Sequence, residues 1–185
     1  AEHYKAAVVY LTGVAWPFFA GLLILAYPMV RTLYGPQWDA SVPLVELLCV
    51  AGAISSVSMF AGQVMVANGQ VRNATYSQLI TQPFRIAAVF FAATFSLIYI
   101  AFALIAVEFL TLCIISWYLR KTIKVGLLGV LSACGKSALI TLCSAIVPLL
   151  VRFFWTDNQA HPSIPLTIGI VGAGIGWLSS ILFTQ

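Results

Sequence analysis

Long blocks of uncharged, apolar residues restrict this sequence to the class of membrane proteins. The first block, 6–30, contains no charged residue, and the second, 42–67, contains only Glu46. A helix needs about 20 apolar residues to cross the hydrocarbon layer of a bilayer, and both blocks exceed that length. Charged residues make up 8% of the 185 residues, whereas roughly a quarter is usual in soluble domains. The sequence therefore predicts an integral membrane protein.

Six transmembrane helices are predicted, which makes the fold class all-α. The predicted spans are 6–30, 42–67, 79–97, 99–119, 137–151 and 164–183. The stretch 121–136 is basic and interrupted by glycines, and we expect an interfacial segment there, ahead of the fifth span. Because the chain begins with Ala1 and stops close to its last span, we expect it to be the later part of a larger transporter.

The basic residues divide unevenly between the two sides of this predicted topology. Lysine and arginine favour the cytoplasmic side in short loops. One side receives only Arg31 and Arg152. The other side, which holds both chain ends, receives Lys5, Arg72, Arg85, Arg120, Lys121, Lys124 and Lys136. We therefore expect a multi-pass protein with both termini in the cytoplasm, and no patch that indicates binding of nucleic acid.

Two glycine-containing stretches look like nucleotide-binding loops but fit those motifs poorly. GVLSACGKS, 129–137, has five residues between its glycines where the phosphate-binding loop has four. In GIVGAGIG, 169–176, Trp177 stands where the dinucleotide motif has its third glycine. Gly172 and Gly176 instead form a GxxxG pair, which predicts close packing of two helices. The cysteines lack metal-binding spacing, so we expect no enzyme, no metal and no cofactor.

Polar residues within the second and third spans indicate a hydrophilic cavity. Polar side chains are costly in hydrocarbon and tend to face protein or water. In the third span they fall on one face of a helix, and Pro83 predicts a kink or a local opening in that face. The second span carries a similar strip. The candidate cavity residues are Arg85, Gln82, Gln78, Thr81, Gln63 and Ser56.

Two ionisable residues are candidates for specific roles. The planar guanidinium of Arg85 suits a phosphate or diphosphate; the alternative is that Arg85 lies near the cytoplasmic end of its helix and reaches the lipid headgroups. Glu108, near the middle of the fourth span, is the candidate coupling residue. It can be protonated, paired with Arg85 or used to couple transport to a cation. Glu46, about one turn inside the second span, is predicted to be an interfacial carboxylate.

Two turns carry a family resemblance. The stretch LYGPQWDASVPLVELLCVAGAI, 33–54, is followed by VMVANGQVRN, 64–73. An aromatic, glycine and tryptophan loop at 33–38, followed by a turn of Ala67, Asn68, Gly69 and Arg72, closely resembles the later half of bacterial polysaccharide exporters. These are the oligosaccharide flippases, including the O-antigen and colanic-acid types, in the superfamily of multidrug, oligosaccharidyl-lipid and polysaccharide exporters. The resemblance covers 4–124, but FSLIYIAFALIAVEF, 95–109, lacks the glycine-rich turn that relatives usually have there.

This resemblance implies a two-lobed transporter of the bacterial inner membrane, of which the chain is the C-terminal six-helix lobe. It implies transport of a lipid-linked (polyprenyl-diphosphate) oligosaccharide by alternating access, for polysaccharide or lipopolysaccharide biosynthesis. The implied partners are that oligosaccharide, membrane lipids, the missing N-terminal lobe and the polysaccharide polymerase or ligase machinery. The alternative is a multidrug or toxin exporter of the same superfamily, which predicts acidic and aromatic residues in the cavity. A membrane glycosyltransferase or ligase would need a larger outer loop.

Overall fold

The computed structural model describes residues 2–67, 69–123, 127–154 and 163–184. Within these residues the chain is helical and contains no strand, which confirms the predicted all-α fold. The α-helices are α1 (Glu2–Ile24), α2 (Ala26–Tyr34), α3 (Val42–Ala67), α4 (Val71–Ala93), α5 (Leu97–Ile123), α6 (Leu127–Phe154) and α7 (Ser163–Thr184). A 3₁₀ helix, Pro36–Ser41, connects α2 to α3.

The first predicted span is wrong as a single helix, whereas the second coincides with α3. The block 6–30 covers most of α1 and the beginning of α2, which meet at Leu25 with a bend of 70°. Pro28 gives the physical reason, because it has no N–H to donate to the carbonyl of Ile24 and the helix loses a hydrogen bond at the bend.

The interfacial segment predicted at 121–136 is largely helical. α5 continues to Ile123 and α6 begins at Leu127, while 124–126 lie outside the described residues. Glycine costs about 1 kcal/mol in a helix interior, a cost that the tertiary packing of a helix commonly outweighs. The fifth predicted span, 137–151, is therefore the later part of a longer helix.

Among the residues that the structure describes, fewer than six helices have the length and apolar character of a membrane span. In the described residues three stretches qualify, Pro36–Met59, Leu97–Tyr118 and Ser137–Phe154, and the bent α1–α2 pair is a fourth if it counts as one broken span. α4 does not qualify because polar residues occur along much of its length. In α7 the stretch that could be assessed, Ile164–Ser179, is shorter than a span because the side chains after Ser179 lie outside the described residues. The structure thus supports three or four spans and does not confirm six.

The two turns that carry the family resemblance each depend on a glycine with positive φ. Gly35 ends α2 with a φ of 90°, and Gly69, after α3, has a φ of 74°. A residue with a Cβ is strained in this region, whereas glycine is not. Pro36 then begins the 3₁₀ helix, where its fixed φ is favourable and its missing N–H is not needed. The first helical segment thus ends at Gly35 and Pro36.

The helices pack in the spatial order α4, α5, α3, α1, α6, α7. An apolar cluster that includes Val8, Val57 and Leu112 joins α1, α3 and α5. On its other side, α1 contacts α6, where Thr12 Oγ1 donates to Ser137 Oγ at 2.8 Å. α4 stands at one end of this order and packs mainly on α5. Much of the surface of α4 is therefore open.

The GxxxG pair brings α7 close to α6, as predicted. A Cβ added to Gly172 would lie 2.1 Å from Cγ1 of Val147, and one added to Gly176 would lie 3.2 Å from Cα of Ser144. Ser144 Oγ also donates to the carbonyl of Ala173 at 2.9 Å. Small residues allow helix backbones to approach in this way in membranes, where packing and interhelical hydrogen bonds drive association.

Trp177 compensates for a proline in α1. Pro17 lies inside α1 and has no N–H, so the carbonyl of Gly13 loses the donor it would find four residues later. The indole Nε1 of Trp177 on α7 donates to this carbonyl at 2.9 Å. Because hydrocarbon offers no water to satisfy a carbonyl, this bond stabilises the contact between α1 and α7.

Replacing Trp177 with phenylalanine is expected to destabilise the protein by about 1 kcal/mol, because the ring is kept while the N–H donor is lost. Thermal unfolding of the full-length protein in detergent measures the change. Trp38→Phe is the control, since its ring is half-exposed and its loss of an N–H leaves no helix carbonyl unpaired. Equal shifts in the two variants would contradict this role of Trp177.

Candidate functional site

Arg85 on α4 and Glu108 on α5 form an ion pair between neighbouring helices, in which Nη2 donates to Oε1. The Glu108 side chain is 12% exposed and the Arg85 side chain 39%. The carboxylate therefore lies in the interface between α4 and α5, and the guanidinium extends from that interface to the open side of α4. Glu108 is predicted to be protonated, paired with Arg85 or used to couple transport to a cation. The structure contains the pair with Arg85.

The pair lies inside both helices, and Arg85 is closer to the end of α4, being eight residues or about 12 Å before Ala93. Arg85 is fourteen residues from Val71, the start of α4, which is about 21 Å along the axis. Glu108 is eleven residues from Leu97, the start of α5, or about 17 Å. α4 begins at Val71, before the predicted 79, and the guanidinium of Arg85 contacts Glu108. The alternative that Arg85 reaches the lipid headgroups stays a prediction.

Gln78 and Gln82 extend the polar surface of α4 toward its start. Gln82 Nε2 donates to Gln78 Oε1 at 3.2 Å, and both side chains are exposed. We call Gln78, Gln82 and Arg85 the polar face of α4. The helix continues unbroken through the neighbouring Pro83, where a kink or local opening is predicted, and Pro83 leaves the carbonyl of Leu79 without its usual donor. The open side of α4 thus carries backbone as well as side-chain polarity.

Two other predicted cavity residues are covered by helix packing. The buried Thr81 donates to the carbonyl of Ser77 at 2.9 Å, and the buried Ser56 donates to the carbonyl of Ala53 at 2.8 Å. Hydroxyls that bond within their own helix in this way are satisfied without water. In this conformation neither lines an open surface. Gln63 belongs to α3, but its side chain lies outside the described residues.

Two further ion pairs gather at the start of α3. Arg152, near the end of α6, lies 3.7 Å from Glu46, and Arg31 of α2 lies 3.9 Å from Asp39. These contacts place Arg31 and Arg152 on the same side of the protein, as the predicted topology requires. Glu46 is partly exposed, and ion pairs of this kind contribute about 0–1 kcal/mol. Sequence reasoning did not identify Arg152 as its partner.

An apolar groove is separate from the polar face. It has a volume of about 380 Å³ and lies between α1, α2, α6 and α7, with Phe18, Leu25, Ile170 and Trp177 among its lining residues. The residues that line it in the described chain are uncharged, so the groove does not share the anion chemistry of Arg85. Among the described residues, no three or more His, Cys, Asp and Glu side chains form a group that could hold a metal ion.

Curated membrane proteins resemble this chain. Teichuronic acid biosynthesis protein TuaB of Bacillus subtilis (strain 168) is 22% identical over 169 residues, which cover 91% of this chain and 35% of TuaB. Lipopolysaccharide biosynthesis protein WzxC of Escherichia coli (strain K12) is 30% identical over 56 residues, 30% of this chain and 11% of WzxC. An uncharacterized membrane protein in the cps region of Klebsiella pneumoniae is 31% identical over 61 residues, 33% of this chain and 13% of that protein.

The chain spans about a third of the length of TuaB and matches smaller shares of the other two. No protein-family profile matches it, and no solved structure does. The match to TuaB extends over nearly the whole chain, well beyond the two turns that suggested the family. With the apolar helices described above, these relatives confirm the resemblance: the chain is a membrane protein whose homologues are polysaccharide-flippase-type proteins of bacterial polysaccharide biosynthesis.

Proposed function

We propose that the chain is part of a flippase that carries a polyprenyl-diphosphate-linked oligosaccharide across the cytoplasmic membrane for polysaccharide or lipopolysaccharide biosynthesis. The observation that carries the proposal is Arg85, a guanidinium deep in a helix and open on one side, with Gln82 and Gln78 beside it. An arginine at the centre of a membrane helix costs about 2.5–3.5 kcal/mol. Such a face is favourable only against water or protein, and a hydrated path for a sugar head group supplies that surrounding.

The chemistry of this substrate matches the polar face of α4. Glutamine amides both donate and accept hydrogen bonds, as sugar hydroxyls do. A guanidinium binds the oxygens of a phosphate through two parallel N–H bonds. The sugar and diphosphate cannot enter hydrocarbon, whereas the prenyl chain can remain in the bilayer. A polar face that opens to one side and then the other would move the head group by alternating access.

We further propose that α4 and α7 also cross the membrane, which gives six crossings with both termini in the cytoplasm. α4 has 23 residues and α7 has 22, so each is about 33–35 Å long and can reach across the hydrocarbon layer. The polar residues of α4 are then covered by water and by an N-terminal lobe. The 35% share of TuaB that this chain matches leaves room for such a lobe. Polymerase or ligase machinery is a further partner of the proposed pathway.

The full-length protein, expressed in cells that lack their own polysaccharide flippase, tests the proposal. Cells with the protein are expected to display surface polymer and to expose lipid-linked repeat units on the outer leaflet. Cells with an empty vector are expected to retain those units inside. Raised resistance to cationic drugs without restored polymer would contradict the proposal and favour the multidrug or toxin exporter.

A further inference from the structure

We infer that Glu108 sets the affinity of Arg85 for an anionic ligand, by holding the guanidinium until a phosphate group of the ligand replaces the carboxylate. This inference rests on the proposed function and concerns the same site. Glu108 is thereby a positioning residue that acts through Arg85, and its role differs from the predicted coupling to a cation.

The geometry of the pair supports an exchange of partners. A guanidinium carries five N–H donors, and Nη2 of Arg85 donates to Oε1 of Glu108. The carboxylate approaches from the packed side of α4, because Glu108 is largely buried and Arg85 is partly exposed. An anion can reach the guanidinium from the open side, beside Gln82. Carboxylate and phosphate then compete for one positive charge.

Glu108 and Arg85 are electrostatically isolated along their helices. The other charged residue of α4 is Arg72, near its start, and α5 otherwise carries Arg120 and Lys121 near its end. Arg72 lies thirteen residues from Arg85, about 20 Å along the helix. α3, which packs on α5, carries only Glu46, close to its own start. On these helices Glu108 is therefore the counter-ion that determines how strongly Arg85 attracts an anion.

A transporter has to release what it binds, and the pair provides a physical means of release. Binding must be favourable enough for entry and weak enough for exit. Without Glu108, the departure of a phosphate would leave an unpaired guanidinium in the membrane, which is strongly unfavourable. With Glu108 present, binding exchanges one ion pair for another and departure restores the first. The carboxylate thus weakens ligand binding and favours release.

Glu108→Gln tests this inference, because it removes the charge and keeps the size of the side chain and an oxygen acceptor. The full-length protein in detergent is titrated with a polyprenyl diphosphate that carries no sugar. The Kd of Glu108→Gln is expected to fall by about tenfold or more, because the ligand no longer competes with a carboxylate. The rate of transport in cells is expected to fall, because release is slower. Glu46→Gln, in a pair remote from α4, is the control and is expected to leave the Kd unchanged.

A purely structural role of Glu108 would not tighten ligand binding, so an unchanged or higher Kd in Glu108→Gln overturns the inference. If Glu108→Gln does not fold, Glu108→Asp takes its place, because it keeps the charge and shortens the reach to Arg85. Its Kd is expected to fall by a smaller factor, and an unchanged Kd overturns the inference. Arg85→Ala separates this inference from the proposed function. If Arg85→Ala does not bind the polyprenyl diphosphate while the Glu108 variants keep the wild-type Kd, the inference is wrong and the proposed function stands. Wild-type binding in Arg85→Ala would remove both.

Discussion

Transport by the full-length protein is expected to be lost when Arg85 is replaced by alanine. The guanidinium contributes charge-assisted hydrogen bonds worth about 1.5–3 kcal/mol each, so one lost bond lowers affinity for a diphosphate about 10- to 100-fold. The single change also leaves Glu108, which is 12% exposed, without its cation. Breaking a buried pair on one side is strongly destabilising, and we expect less Arg85→Ala protein in the membrane.

A double variant separates the loss of ligand contact from the loss of stability. Arg85→Gln with Glu108→Gln removes both charges together, and its level in the membrane is expected to be close to that of the wild type. Surface polymer is nevertheless expected to be absent, with lipid-linked repeat units retained inside the cell. Wild-type polymer in cells that carry the double variant would show that Arg85 does not contact the ligand.

Gly172→Ala is expected to disrupt the packing of α7 on α6. The added Cβ would lie 2.1 Å from Cγ1 of Val147, so the two helices must separate. Overpacking of this kind costs about 1–3 kcal/mol. The expected result is a lower unfolding temperature in detergent and less protein in the membrane. Val147→Ala is expected to restore part of the loss, because it removes the two methyl groups that the new Cβ meets.

Gly174→Ala is the matched control on the same helix, since a Cβ at Gly174 meets nothing within 4 Å. Its unfolding temperature is expected to stay at the wild-type value or rise slightly, because alanine has the higher helix propensity. If Gly174→Ala were as unstable as Gly172→Ala, the loss would come from backbone flexibility and not from contact with Val147.

The elements that depend on local chemistry could be predicted from the sequence. α3 follows from an apolar block that must exclude water, and its bounds match the prediction. The turn at Gly35 and Pro36 follows from backbone sterics. Which prolines interrupt a helix could not be predicted equally well. Pro17 and Pro83 lie inside continuous helices, whereas the chain breaks at Leu25 ahead of Pro28.

Tertiary contacts account for the difference between Pro17 and Pro28. At Pro17 the freed carbonyl of Gly13 receives a hydrogen bond from Trp177, which is distant in sequence. At the bend, Ala26 is completely buried, so packing around the break holds it in place. The sequence shows which residue has no N–H to donate. It does not show which residue from another helix donates to the freed carbonyl instead.

In the candidate site too, some features could be predicted from the sequence and others depend on neighbouring helices. Helical period predicts that Thr81, Gln82 and Arg85 share one side of α4, but the position of α5 decides which of them is covered. Thr81 is buried, and Gln82, about 100° further around the helix, is exposed. The depth of Arg85 depends on where α4 begins, and the start at Val71 differs from the predicted 79.

The central claim is that the polar face of α4 meets water inside the membrane, and cysteine labelling tests it most directly. The four native cysteines of the chain are replaced with serine in the full-length protein, and cysteine is introduced either at Gln82 or at Ile80. Both side chains are exposed, but they point to opposite sides of α4. A membrane-impermeant thiol reagent is expected to label Gln82→Cys about tenfold faster or more, because only a hydrated thiol forms the reactive thiolate. Equally slow labelling at both positions would contradict the claim.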